Sequence, residues 1–325
     1  MRGRLPGGGS GDPDTATRVG SVVLPNPVMT ASGTSGHGAE LGAYFDLSVL
    51  GAVVVKSLAA EPWPGNPAPR LAPVEVGMLN SVGLQGAGVE AWLESELPSL
   101  VASGARVVAS IWATTVEGYA KAAAMLAGAP AAVVAVEVNV SCPNVEDRRR
   151  MFAHSPGATA EALDAAAVCG RPRWAKLSPN VTDLTEIAAA ALDAGAEALT
   201  LVNTVMGMAV DPVARRPVLG AGGGGLSGPA IRPVAVRAVY ECRAAFPDAG
   251  IVGVGGVSSG RDAAELMVAG ADAVQVGTAT FADPRAPRRV LEELRAWCGA
   301  QGVGRTAELT ATADRGAAVP GGHAD

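Results

Sequence analysis

The chain has 325 residues, enough for one large α/β barrel or two ordinary domains. Hydrophobic residues make up 49%, but aromatics reach only 4% and no uninterrupted apolar run approaches the roughly 18 to 20 residues that span a bilayer, so no membrane partner is expected. A net charge of -6 without a concentrated Lys/Arg patch argues equally against nucleic acid.

Residues 1–16 are rich in Gly and Pro, carry no apolar h-region, and read as a disordered leader. Eight short β-branched or apolar runs then predict strands over 27–30, 52–55, 106–111, 133–138, 174–177, 198–202, 251–254 and 273–276. Ala-rich segments with helical spacing lie between most of them, at 118–126, 160–168, 184–194 and 231–245. Polar caps ahead of apolar runs, at Thr182-Asp183 and Ser259, mark helix starts, and Gly195 and Gly270 suit the closing positions. Eight βα units predict a single (β/α)8 TIM barrel over 17–304, with its active site at the carboxyl ends of the strands. Two connections, Ser57 to Val89 and Asn203 to Gly228, exceed the usual loop length and are expected to be functional. Residues 305–325 lose all periodicity and read as a loose tail.

Four cysteines at 142, 169, 242 and 298 show no Cys-x-x-Cys spacing, and the histidines are only His37, His154 and His323. No zinc or iron-sulfur site is expected, and reduced thiols in a cytoplasmic protein are the simplest reading.

The strand ends carry the chemistry. Pro143 cannot continue a central strand, so Cys142 falls on the loop just beyond the fourth, either as a packed thiol or as a reactive one. Gly255-Gly256 after the seventh strand and Gly277-Thr278 after the eighth free backbone N–H groups for a phosphate, and Gly228 adds a third close approach. Lys56 and Lys176 end apolar strands, where an ammonium needs a charged or polar partner unless it snorkels to solvent. A flavin would supply that partner. Asn80, Asn139, Asn144 and Asn203 offer both donors and acceptors, as a small planar amide or imide requires.

With these residues assembled, the chain resembles the class 1 dihydroorotate dehydrogenases from about Val19 to Gly302. Asn139-Val140-Ser141-Cys142-Pro143-Asn144 looks like the family's catalytic loop, and Asn80-Ser81-Val82-Gly83-Leu84 like its substrate loop. The wording of 203–208 and 225–231 is most similar to subclass 1B, the NAD-linked form. The resemblance implies FMN against Ser32, Lys56, Ser57, Asn139, Lys176, Val202, Gly228, Gly255, Gly256, Gly277 and Thr278. It implies substrate against Lys56, Asn80, Ser81, Val82, Gly83, Leu84, Asn139, Asn144, Asn203 and Thr204, with Cys142 as the base. It further implies a homodimer and a second subunit carrying FAD and an iron-sulfur centre, because this chain has neither the ligands nor an NAD fingerprint.

Two departures stand out. Ser110 takes the place of the usual Asn after the third strand, ahead of bulky Trp112, which is expected to weaken one flavin contact. The segment after Cys142 carries Arg148, Arg149 and Arg150 where glycines are usual. These arginines either clamp the orotate carboxylate, signal another acidic substrate, or are simply solvated. The readings left open are therefore an FMN oxidoreductase acting on dihydroorotate, a flavin-dependent paralogue acting on another cyclic amide, and a flavin-free phosphate-binding lyase or isomerase.

Overall fold

A computed structural model describes residues 12–142 and 151–314. All eight predicted strands form: β1 (Val28–Thr30), β2 (Val53–Val54), β3 (Val107–Ile111), β4 (Val133–Asn139), β5 (Arg173–Lys176), β6 (Ala198–Leu201), β7 (Gly250–Val254) and β8 (Ala273–Val276). They pair in parallel in sequential order, with β8 returning to β1 so that Gln275 stands opposite Met29. The ring closes between β1 and β2, where Met29 bridges Ala52 and the Gly51 N–H donates to the Val28 carbonyl at 2.8 Å. This is the (β/α)8 barrel.

Period-two alternation divides each strand between two apolar layers. Val53, Val107, Val136, Leu199, Ile251 and Val274 face the helices in one large cluster. Their neighbours Val54, Val108, Ala135, Ala198, Val252 and Ala273 point into the barrel and form a second, smaller cluster. A hairpin of Thr17–Val19 and Val22–Leu24 supplies Val19, Val22 and Leu24 to that inner cluster and stoppers the amino-terminal end of the barrel. The Thr17 hydroxyl donates to the Asp272 carbonyl at 2.8 Å and fixes the stopper to the approach to β8.

Helix positions follow the expected signals. In the helix Val116–Leu126, the side chain of Thr115 caps the Gly118 N–H, and Tyr119, Ala122, Ala123 and Leu126 form the buried stripe. Asp183 and Ser259 cap the helices Leu184–Asp193 and Gly260–Ala269 in the same way.

Both long connections prove to be ordered. Leu71–Val74 and Gly77–Asn80 come from the first, Val205–Gly207 and Gly224–Ser227 from the second, and the four join as one antiparallel sheet. The glycines make this possible. A Cβ on Gly224 would lie 2.3 Å from the Asn80 carbonyl oxygen, a contact only glycine avoids.

At both ends the packed chain extends past the expected limits. Asp14 bridges Arg305, Thr306–Leu309 forms a helical turn with Thr306 and Leu309 buried, and the Ala313 N–H donates to the Val268 carbonyl at 3.0 Å. Residues 305–314 are therefore not loose as expected. Backbone bonds to the end of the helix Gly260–Ala269 hold them, and such bonds leave no periodicity in a sequence.

Candidate functional site

Beneath the antiparallel sheet, at the carboxyl ends of the barrel strands, lies a cavity of about 510 Å³. Its wall includes Ser32, Lys56, Ser57, Asn80, Val82, Leu84, Asn139, Lys176, Val202, Asn203, Thr204, Gly228, Gly255, Gly256, Gly277 and Thr278. Ser81 and Gly83 do not line it. Both pack on Asn66, whose amide donates to the Ser81 hydroxyl at 2.8 Å, so they shape the loop that presents Asn80 and Val82. Asn144 and Arg148 to Arg150 lie outside the described residues.

One end of the cavity is a glycine cradle. Gly228, Gly255 and Gly256 have φ of 90°, 142° and 73°, values that L side chains rarely adopt. Gly256 sits where a Cβ would come within 2.7 Å of the Arg232 Cβ and 3.0 Å of the Gly228 carbonyl oxygen. Ser259 then opens the helix Gly260–Ala269, whose positive end faces this corner. Bare backbone at a helix start suits an anionic group such as a phosphate. Arg289, which no sequence signal singled out, also reaches this wall, but its charge is already paired with Asp283 at 3.3 Å and Glu293 at 2.8 Å.

The floor is a chain of polar groups across four strand ends. The Asn203 amide donates to Asn139 Oδ1 at 3.2 Å, Asn139 Nδ2 to the Ser57 hydroxyl at 3.2 Å, and Ser57 shares a 2.9 Å hydrogen bond with Ser110. Ser110 is fully buried and stands behind Ser57 rather than on the cavity wall. Its hydroxyl continues to Glu137 Oε1 at 3.2 Å. Glu137 pairs with Lys176 at 3.6 Å, and Lys176 donates to the Ser32 hydroxyl at 2.7 Å. Lys176, for which a flavin was one suggested partner, is thus supplied with a carboxylate by the protein itself. A glutamate between two outward valines was the available signal, because Val136 and Val138 facing the helices force Glu137 into the barrel.

Lys56 differs. Its ammonium has no ion-pair partner among the described residues, and its stem lies 3.6 Å from where a Cβ on Gly33 would stand. Burial lowers its pKa and the Lys176 charge adds to that, while the Cys142 sulfur opposes both. Lys56 is thus a cation facing the cavity with its charge uncommitted.

Cys142 is fully buried and does not itself line the cavity. Its Sγ–H donates to the Asn139 carbonyl at 3.3 Å, and the Tyr119 hydroxyl donates to the same oxygen at 2.8 Å. Tyr119 is held edge-on against Phe152 with ring centroids 5.2 Å apart. Burial pushes the thiol up to about 12, with the Lys56 charge and the Tyr119 hydroxyl pulling the other way. Asn180, also unanticipated, spans the rim, with Nδ2 donating to the Thr204 carbonyl at 3.0 Å and Oδ1 accepting from the Met206 N–H at 2.8 Å.

The chain is similar to known proteins over most of its length. The family model described as dihydroorotate dehydrogenase matches residues 15–297. A dihydroorotate dehydrogenase B (NAD(+)), catalytic subunit, of Geobacter sp. (strain M21) is 47% identical over 283 residues, covering 87% of this chain and 92% of the relative. The protein of the same name from Geobacter sulfurreducens is 43% identical, covering 91% and 97%. A chain from Solibacter usitatus, provisionally named dihydroorotate dehydrogenase A (fumarate), is 45% identical, covering 92% and 98%.

Proposed function

Since the chain belongs to the dihydroorotate dehydrogenase family, we propose that it oxidises dihydroorotate to orotate in pyrimidine biosynthesis, with FMN as its resident cofactor. The observation that carries this reading is the convergence, on one cavity, of a glycine cradle, two lysines and three asparagines. The cradle fits the FMN phosphate, because Gly228 and Gly256 hold backbone where any Cβ would intrude. Bound FMN supplies a two-electron acceptor for the hydride from C6 of the substrate.

The remaining work falls to the chain's own side chains. Lys176 and Lys56 bring positive charge to the part of the ring that becomes anionic on reduction. Asn80, Asn139 and Asn203 hold the amide edges of the substrate, each able to donate and accept. Cys142 takes the proton from C5. Its thiol must first give up its own proton, which burial opposes and Lys56 favours. The relatives' names, catalytic subunits of an NAD(+) enzyme, support a partner subunit, and the family resemblance gives that partner FAD and an iron-sulfur centre. The Solibacter relative's name supports a second reading for the acceptor alone, fumarate. A homodimer remains our expectation from family resemblance.

The test is anaerobic bleaching of the FMN-loaded protein by dihydroorotate, with dihydrouracil as control. Dihydroorotate alone should bleach it, and Cys142→Ser should slow the step by roughly 10² to 10⁴ fold at pH 7, the usual worth of a positioned base. Equal bleaching by dihydrouracil would point to another cyclic amide. A protein that binds no FMN would remove the flavin reading altogether.

A further inference from the structure

Glu137 lies at the centre of the barrel and has no part in the chemistry just described. It is fully buried, yet it occupies an inward position on β4 among apolar neighbours, where an unpaired carboxylate would be prohibitively costly. Every polar approach to it is used. Oε1 lies 3.6 Å from Lys176 Nζ and accepts from the Ser110 hydroxyl at 3.2 Å, and Oε2 accepts from Gln275 Nε2 at 2.9 Å. Lys176 in turn reaches the cavity wall beside Ser32. The carboxylate therefore stands behind a cation that faces the cavity, and does not itself line that cavity.

We infer that Glu137 is a positioning residue that tunes the flavin, holding Lys176 in place and cancelling part of its charge. This rests on the FMN reading above. Two-electron reduction with uptake of one proton leaves the flavin one unit more negative, so cationic charge beside it favours the reduced form. A fixed carboxylate behind that cation opposes the gain. Removing its charge without changing its shape should therefore make the flavin easier to reduce. In a partly screened interior, one charge acting across several ångströms changes such an equilibrium by about tenfold, which is about 30 mV for a two-electron couple.

The experiment is a potentiometric titration of the FMN-loaded protein at fixed pH against a reference dye, with FMN dissociation constants measured on the apoprotein. Glu137→Gln should raise the midpoint by about 30 mV, tenfold in the equilibrium. It should also favour binding of reduced over oxidised FMN by the same factor. Gln275→Met removes a hydrogen bond to the carboxylate but keeps its charge, and should move the midpoint clearly less than Glu137→Gln does. Glu137→Asp draws the charge back by one methylene and should give a smaller rise in the same direction, which carries the test if Glu137→Gln does not fold. An unchanged or lowered potential in both Glu137 variants, or an equal rise in Gln275→Met, overturns the inference while leaving the FMN reading intact. Failure of the wild-type protein to bind FMN removes that reading, and the inference with it.

Discussion

Replacing Gly256 by alanine tests the cradle directly. At φ 73° an L residue costs roughly 1 to 2 kcal/mol over glycine. The added Cβ would also stand 2.7 Å from Arg232 Cβ and 3.0 Å from the Gly228 carbonyl oxygen, so the backbone of the cradle has to move. If that displacement costs the phosphate one hydrogen bond to an anion, worth about 1.5 to 3 kcal/mol, FMN should bind about 10 to 150 fold more weakly. Titration of the apoprotein with FMN, followed by quenching of flavin fluorescence, measures this. Gly299→Ala is the control. It lies within the helix Ala286–Gln301 with nothing within 4 Å of its added Cβ, so it should leave FMN affinity alone and stabilise the fold by about 0.5 to 1 kcal/mol. A folded Gly256→Ala protein with wild-type FMN affinity would refute the placement of the phosphate.

Other outcomes follow from the same geometry. Asn80→Ala should retain FMN but bind substrate less well by about 1 to 3 kcal/mol, since the substrate group it partners is left unpaired; loss of FMN would move Asn80 to the cofactor side. Cys142 and Cys242 are both held near about 12 by burial, so between pH 9 and 12 the folded protein keeps these protons while the unfolded chain, with ordinary thiols, loses them. Stability should then fall by about 1.4 kcal/mol per pH unit for each thiol, and Cys242→Ala should flatten the slope seen in urea melts by about that amount. An unaltered slope would show that Cys242 titrates normally when folded. The isolated chain should pass electrons to artificial dyes but reduce NAD poorly, and rapid NAD reduction by it alone would contradict the need for a partner subunit.

Much of the barrel was legible because its signals are local. Each strand is a short apolar run, and the caps at Asp183 and Ser259 sit where the pattern places them. The cavity lining was legible for a related reason, since a barrel exposes whatever ends or follows each strand: Asn139 and Lys176 are the last residues of theirs, and Lys56 stands two beyond Val54. What escaped depends on partners far away in the chain. Nothing in Gly77–Asn80 announces pairing with Gly224–Ser227, some 145 positions on, because a register between distant strands is written in neither one alone. Ser110 drew notice as a substitution in a flavin contact, yet its meaning lies in Glu137 and Ser57, which only folding brings beside it. Cys142 was expected at the active site, and its complete burial behind Asn139 could not be read from the order of residues.

The hairpin that stoppers the barrel has a consequence for traffic. With Val19, Val22 and Leu24 packed into the amino-terminal end, the inner core offers no route along the barrel axis from below. Among the described residues, dihydroorotate and orotate therefore have to come and go on the side of the antiparallel sheet. Orotate should then inhibit competitively against dihydroorotate, since substrate and product need the same approach, and inhibition that varied dihydroorotate cannot relieve would contradict this.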